Sequence, residues 1–334
     1  MSKTRFKPKV VRVFTSFHLT EAERHTITSA FLIEDDSSTL VFNKSGRCDL
    51  AVVVNFDRAF SYVYGPNLHI VKWLMEPRVK QKINWNFTHI HSRIFSRIYS
   101  HAATIDDERE VNSPPLVPPH VPQVPIEELL SAKTKLISAI GSNQNALPGH
   151  RARTEILDAI EANAHFGVDV FGKGRAYIKE KREGLHSYRY SIAIENSTTP
   201  NYWTEKLSDC FLSLTVPIYL GAPNATEYFP AESMITVSWE DLSSRLDVLL
   251  SRISVEDFER RIPFLLEARR LIIEKYDFGR QIASLLRETQ GKSGRQKSFS
   301  RVWTLDTFIF KLYELGAMSK RFIRKLSRGE GITR

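Results

Sequence analysis

A lysine in the first turn of a helix is badly placed unless something negative faces it. Lys206 follows Thr204, a good N-cap, and Leu207, Cys210, Phe211 and Leu214 then recur at helical spacing on one apolar stripe. The ammonium therefore opposes the positive end of the helix dipole, at a cost of about 0.3–1 kcal/mol. That cost implies an anion in front of the helix N-terminus. Glu205, beside it, needs no such partner, because the same dipole favours a carboxylate there. Upstream, Glu195 and Asn196 form a polar pair at the point where an alternating run stops.

A strand, a turn and a helix start must hold these residues within the stretch YRYSIAIENSTTPNYWTEK, 188–206. Tyr190, Ile192 and Ile194 alternate with Arg189, Ser191 and Ala193, the two-residue period of a strand. Glu195 and Asn196 then lie at its carboxyl end, the edge where open α/β sheets bind ligands. On pattern alone this is an ordinary strand-turn-helix unit.

The chain has 334 residues, long for a single core and suited to two domains. At 42% hydrophobic and 25% charged it reads as globular. It contains no run of about eighteen apolar residues, and MSKTRFKPKV has no apolar signal core, so the expectation is a cytoplasmic protein. Cys48 and Cys210 are read as reduced core thiols, and the Asn-X-Thr triplets at Asn86, Asn196 and Asn224 carry no meaning as glycosylation sites in that compartment. Of the net charge of +9, residues 291–334 hold +8, with eleven Lys/Arg against Asp306, Glu314 and Glu330. Basicity confined to a tail, with no aromatic-studded basic face in the body, argues against a nucleic-acid binder.

Along the chain, 10–17, 49–56, 69–74 and 95–100 read as strands, with helical signal at 20–33. Pro77 forces the chain out of the third strand and leaves Glu76 at its carboxyl edge. This is a Rossmann-like half without a Gly-rich fingerprint. Residues 111–125 hold six of the fifteen prolines, so they form a stiff extended connection rather than regular structure. The boundaries are 1–125 for the first domain, including that linker, 126–290 for the second and 291–334 for a basic tail. The second half alternates again, with strands at 135–140, 168–171, 188–194, 216–220 and 234–239 and helices at 126–130 and 151–164, before a mostly helical stretch over 246–288. Gly172-Lys173-Gly174 lacks P-loop spacing and reads as a turn near the ligand. No acidic pair at a strand end forms a metal motif, and His89, His91 and His101 are surface or core histidines rather than ligands. Residues 305–326 combine an apolar stripe with Lys311, Lys320, Arg321, Arg324 and Lys325. They either dock as a terminal helix or lie on an anionic membrane surface, which makes inner-face peripheral association one reading of the location.

The string ENSTTPNYWTEK, followed by a helix and VPIYLGAP, resembles the donor-binding signature of glycosyltransferase family 10, the α1,3/α1,4-fucosyltransferases. Ser142-Asn143, Arg153 and VDVFGKG (168–174) resemble further elements of the family in the same order, so that 136–240 is covered well. Ile194 stands where the family usually has Phe, and Trp203 where it has a small β-branched residue. The resemblance implies an α/β fold of GT-B type, two Rossmann-like domains facing across a cleft. It implies inverting transfer of L-fucose from GDP-fucose to an acceptor glycan, with no metal or other cofactor. The acceptor reading is N-acetylglucosamine in a surface polysaccharide, through an α1,3 linkage, as in lipopolysaccharide or protein glycosylation. Arg153 and Lys206 then clamp the diphosphate, and Asn196 and Tyr202 meet the nucleotide or its ribose. Glu205 lies near the fucose ring, and Ser142, Asn143 and Glu195 complete the donor set. Glu76, in LMEPR, resembles the family's general base. A GT-B transferase using another nucleotide sugar, or an inactive sugar-nucleotide or lipid binder, is the alternative.

Overall fold

A computed structural model describes residues 9–15, 17–55, 62–65, 68–77, 88, 95–102, 108–118, 120–143, 148–289 and 300–301. Residues 305–326, read above as a docked or membrane-surface helix, lie outside them, as do His89 and His91.

In the first lobe the strands are β1 (Val10–Thr15), β2 (Thr39–Phe42), β3 (Gly46–Arg47), β4 (Leu50–Val54), β5 (Tyr62–Tyr64), β6 (His69–Leu74), β7 (Arg97–Ser100) and β8 (Glu110–Asn112). Six of them make a parallel sheet in the order β2-β1-β4-β6-β7-β8. β4 shows why the sequence reads as continuously apolar. Leu50, Val52 and Val54 pack on one face of the sheet, while Ala51 and Val53 pack on the other. The helix Glu21–Glu34 starts at Thr20, whose hydroxyl accepts from Glu23 N while the Glu23 carboxylate takes Thr20 N at 2.7 Å, a capping box.

The second lobe contributes β9 (Lys135–Ile140), β10 (Asp169–Phe171), β11 (Tyr188–Ile194), β12 (Val216–Leu220) and β13 (Ile235–Thr236). They form a second parallel sheet in the order β10-β9-β11-β12-β13. The chain leaves β9 toward β10 and returns to β9's other side as β11. The carboxyl ends of β9 and β11 therefore flank a topological switch point. A short β14 (Ser300–Arg301) pairs with β5, which pairs with β3 on its other side, in a third, small sheet.

Three expectations shift. Val111 and Asn112 belong to β8, so the extended connection begins at Ser113. The segment at 234–239 gives only a two-residue strand before the helix Trp239–Ser244. The helix Phe278–Thr289, expected within the second domain, crosses back to the first: Phe278, Ile282, Ala283, Leu285 and Leu286 are buried in the same cluster as Ile27 and Phe31. An amphipathic stripe declares that a helix has a buried face, not which lobe buries it.

The linker is pinned at both ends. Trp73 Nε1 donates to Pro114 O at 3.0 Å, with its ring stacked on Tyr99, and the Arg269 guanidinium donates to Val124 O. Both cysteines are buried and unpaired, and burial pushes each thiol up to about 12. Among the described residues no helix is long and apolar enough to cross a membrane.

Candidate active site

The switch point opens into a cavity of about 350 Å³. Its walls bring together Ser142 after β9, Gly172 and Lys173 after β10, Arg153 from the helix Pro148–Ala162, and Glu205, Lys206 and Asp209 from the helix Glu205–Leu212. Two backbones have to meet closely for this. A Cβ on Gly149 would stand 2.3 Å from Asn196 O, and one on Gly172 (φ 134°) would stand 2.2 Å from Gly141 O. Glycine at these positions lets the helix and the turn close on the strand ends.

Arg153 is the least expected group in the site. Read in isolation it would be a solvated helix arginine, yet it is 5% exposed. Its guanidinium donates to Asn196 Oδ1 at 2.7 Å and to Ser142 Oγ at 3.4 Å, both neutral, while Nε has no partner. Among the described residues no carboxylate lies within ion-pair distance of it; burial works against its charge, and Glu195 and Glu205 favour that charge from farther away. Burying a cation with no carboxylate in contact is costly. Facing an open cavity, such a cation is placed to meet an anion.

Lys206 differs. Its Nζ lies 3.0 Å from Glu205 Oε1 and 3.3 Å from Glu195 Oε2. The anion implied by the dipole mismatch is therefore supplied by the protein, and that mismatch alone does not point to a ligand. Burial opposes the ammonium, but the two carboxylates outweigh it and hold the lysine charged. Glu195 is 0% exposed, accepts from Thr204 N at 2.7 Å and from Thr204 Oγ1, and is pushed up by burial against Lys206. Expected as a donor contact, it instead sits behind the helix start and acts through Thr204 and Lys206.

Glu205 is half-buried, and Lys206, Lys181 and His120 together outweigh its desolvation and hold its carboxyl well below the usual range. It is a fixed anion in the cavity wall. Lys173 lines the same cavity, in the turn expected near the ligand, and Lys179, Lys181 and Asp209, which no motif marks in the sequence, line it too. The basic run KGRAYIKEK directly after β10 was the available signal. Five cations face two carboxylates across the lining, so the cavity favours a polyanion.

The remaining expected residues do not line the cavity. Asn196 orients Arg153. Asn143 is exposed, its N–H spent on Lys173 O at 3.1 Å. Tyr202 is buried against the first lobe, its ring 4.9 Å from His101, while Asn201 Nδ2 donates to His101 O at 3.0 Å. Burial, with Glu195 and Glu76 adding their negative charge, raises the Tyr202 phenol well above its usual value. Glu76 follows β6, its N–H 3.4 Å from Asn55 Oδ1, and its charge is felt at Tyr202. Trp203 points away from the cavity into Tyr228, Phe229 and Tyr276, at ring distances of 5.1–6.0 Å, so this departure from the family pattern is a core substitution. Among the described residues no group of three or more His, Cys, Asp or Glu is arranged to hold a metal ion.

The fold and the placement of the cavity define a GT-B protein. A crystal structure of an α1,3-fucosyltransferase superposes with a TM-score of 0.54 at 15% identity, covering 89% of this chain and 94% of that one. Residues 130–257 match the family model described as glycosyltransferase family 10 (fucosyltransferase), C-terminal. An α-(1,3)-fucosyltransferase of Helicobacter pylori is 33% identical over 105 residues, 31% of this chain and 22% of that protein. A 3-galactosyl-N-acetylglucosaminide 4-α-L-fucosyltransferase of Bos taurus is 33% identical over 134 residues, 38% of this chain and 35% of that protein. The chain thus matches about a fifth to a third of the length of these relatives.

Two outcomes follow from these environments. Arg153→Met removes a buried cation that has no carboxylate partner, so thermal unfolding should be unchanged or shifted upward while affinity for a nucleoside diphosphate falls at least about tenfold. A large loss of melting temperature would contradict this placement. His101 is held neutral by burial, its value lowered to about 4. The unfolded chain, with an ordinary value near 6.5, binds that proton more readily. Stability is therefore intact above about pH 6.5 and falls as the pH drops toward 4. His101→Phe should flatten that part of the melting profile, and an unchanged profile would refute it.

Proposed function

We propose that the chain is an inverting glycosyltransferase that moves L-fucose from GDP-fucose to a hydroxyl of an acceptor glycan. The observation that carries the reading is Arg153, a buried guanidinium at the switch-point cavity whose hydrogen-bond partners among the described residues are neutral. The family 10 match over 130–257 supports fucosyl transfer, and the names of both relatives point to the same chemistry.

In this reading Arg153 grips phosphate oxygens through its planar fork, and Lys206 adds a point charge. Asn196 and Ser142 keep the guanidinium aimed. Glu76 takes the proton of the acceptor hydroxyl, whose oxygen attacks the anomeric carbon. The bond from that carbon to the β-phosphate oxygen breaks on the opposite face, and GDP leaves with its new negative charge on the Arg153 and Lys206 side. Configuration at the anomeric carbon inverts. Glu205, locked as an anion, faces the positive charge that grows on the sugar ring. Fixed side chains thus meet both signs of developing charge without reorganising during the step.

For the acceptor we propose N-acetylglucosamine within a surface polysaccharide, in line with the N-acetylglucosaminide named for the bovine relative, and an α1,3 linkage, in line with the name of the Helicobacter pylori relative.

Glu76→Gln should leave GDP binding intact and lower turnover of GDP-fucose by ~10²–10⁴-fold. Wild-type turnover in that variant would remove the base assignment. Release of UDP from UDP-sugars in preference to GDP from GDP-fucose would move the reading to another nucleotide sugar.

A further inference from the structure

Lys181 opens the short helical turn Lys181–Gly184 below β10, and its side chain, 29% exposed, reaches into the cavity. Its Nζ is 3.0 Å from Asp209 Oδ2 and 3.7 Å from Glu205 Oε1. Asp209 is almost fully enclosed, its side chain 2% exposed. The other Asp209 oxygen accepts the backbone N–H of His120 at 3.1 Å. His120 belongs to the connection between the lobes. Its ring Nδ1 is 3.3 Å from Lys181 Nζ, and Nε2 is 3.7 Å from Glu23 Oε1. Glu23 is the residue whose carboxylate closes the capping box of the first lobe's helix Glu21–Glu34.

One chain of charged and polar groups thus runs from the cavity wall to the other lobe: Glu205, Lys181, Asp209, His120, Glu23. The His120 ring thus faces Lys181 with Nδ1 and Glu23 with Nε2. The two lysines on Glu205 are not equivalent. Lys206 is closer and is also engaged with Thr204 and Glu195, whereas Lys181 stands 3.7 Å away, outside direct hydrogen-bond range. Lys206 therefore holds Glu205 in place from the helix, and Lys181 sets its field from the side that is anchored to the lobe connection.

We propose that Lys181 is a positioning residue for the transfer step, fixing Glu205 beside the reacting sugar and, through Asp209 and His120, tying that placement to the first lobe. The inference rests on the reading of the cavity as the donor site. Its consequence is that groups outside the cavity tune turnover more than donor binding. A diphosphate is gripped by Arg153 and Lys206, which the chain does not include. The sugar ring faces Glu205, which it does.

The test uses the full chain with GDP-fucose, reading GDP release to water or to a sugar acceptor, together with GDP affinity by calorimetry. Lys181→Met should lower kcat about tenfold or more while GDP affinity changes less than about threefold, and Lys181→Arg should recover most of the loss. Because Lys181→Met leaves Asp209 buried without its partner, Lys181→Met/Asp209→Asn removes both charges and keeps the comparison within folded protein. It should show the same kcat defect. His120→Gln should lower kcat about threefold in the wild-type background and have no further effect beside Lys181→Met, the non-additivity expected of one connected chain. An active wild type whose kcat is unchanged by Lys181→Met/Asp209→Asn, or additive losses for His120 and Lys181, overturns the inference and leaves the functional reading standing. A wild type that neither binds GDP nor releases it from GDP-fucose overturns both.

Discussion

A buried guanidinium that touches no carboxylate among the described residues organises the second lobe. Asn196 and Ser142 spend neutral oxygens on Arg153; Glu195 and Glu205 favour its charge from farther away, and a cavity opens in front of it. Asn196 and Ser142 come from the ends of β11 and β9, the strands that border the switch point. The topology of the sheet and the chemistry of the site are therefore one constraint. Were the order of β9, β10 and β11 different, the carboxyl ends would not converge on the helix that carries Arg153.

Around that group the lobe sorts its charges by how firmly each is held. Glu195, fully enclosed, secures Thr204 and Lys206 from behind. Glu205 is kept anionic by two ammonium groups, and Asp209 by Lys181. At 4 Å a unit pair near a protein surface is worth about 4 kcal/mol, enough to outweigh the burial of a carboxylate when two cations act on it. The first lobe meets this arrangement through His101 against Tyr202 and through His120 against Asp209, while the helix Phe278–Thr289 ties the lobes together through the apolar cluster it shares with Ile27 and Phe31.

Much of this was legible in the sequence. β6 and β12 fall where the apolar runs placed them, because strands buried on both faces leave continuous signals, and β11 falls where the two-residue alternation placed it. Thr204 caps its helix as its side chain and the stripe behind it required. The stripe itself was read one residue pair too far: the helix ends at Leu212, and Leu214 takes a left-handed φ of 50°, which no periodicity reveals. The dipole mismatch of Lys206 was real, but its anions are Glu195 and Glu205. A local rule cannot tell a protein carboxylate from a ligand. Arg153 could be read only by resemblance, since nothing in RARTE distinguishes a buried arginine from a solvated one. The return of Phe278–Thr289 to the first lobe and the approach of His120 to Asp209 depend on long-range packing, to which sequence periodicity is blind.

The central claim is that the cavity beside Arg153 is shaped and charged for a nucleoside diphosphate. Calorimetric titration of the full chain with GDP, GMP and guanosine at low and high salt tests it most directly. Affinity should fall steeply from GDP to GMP, vanish for guanosine, and weaken as salt screens the cations. Equal affinity for GDP and guanosine, or GDP binding that is unaffected by Arg153→Met, would contradict it.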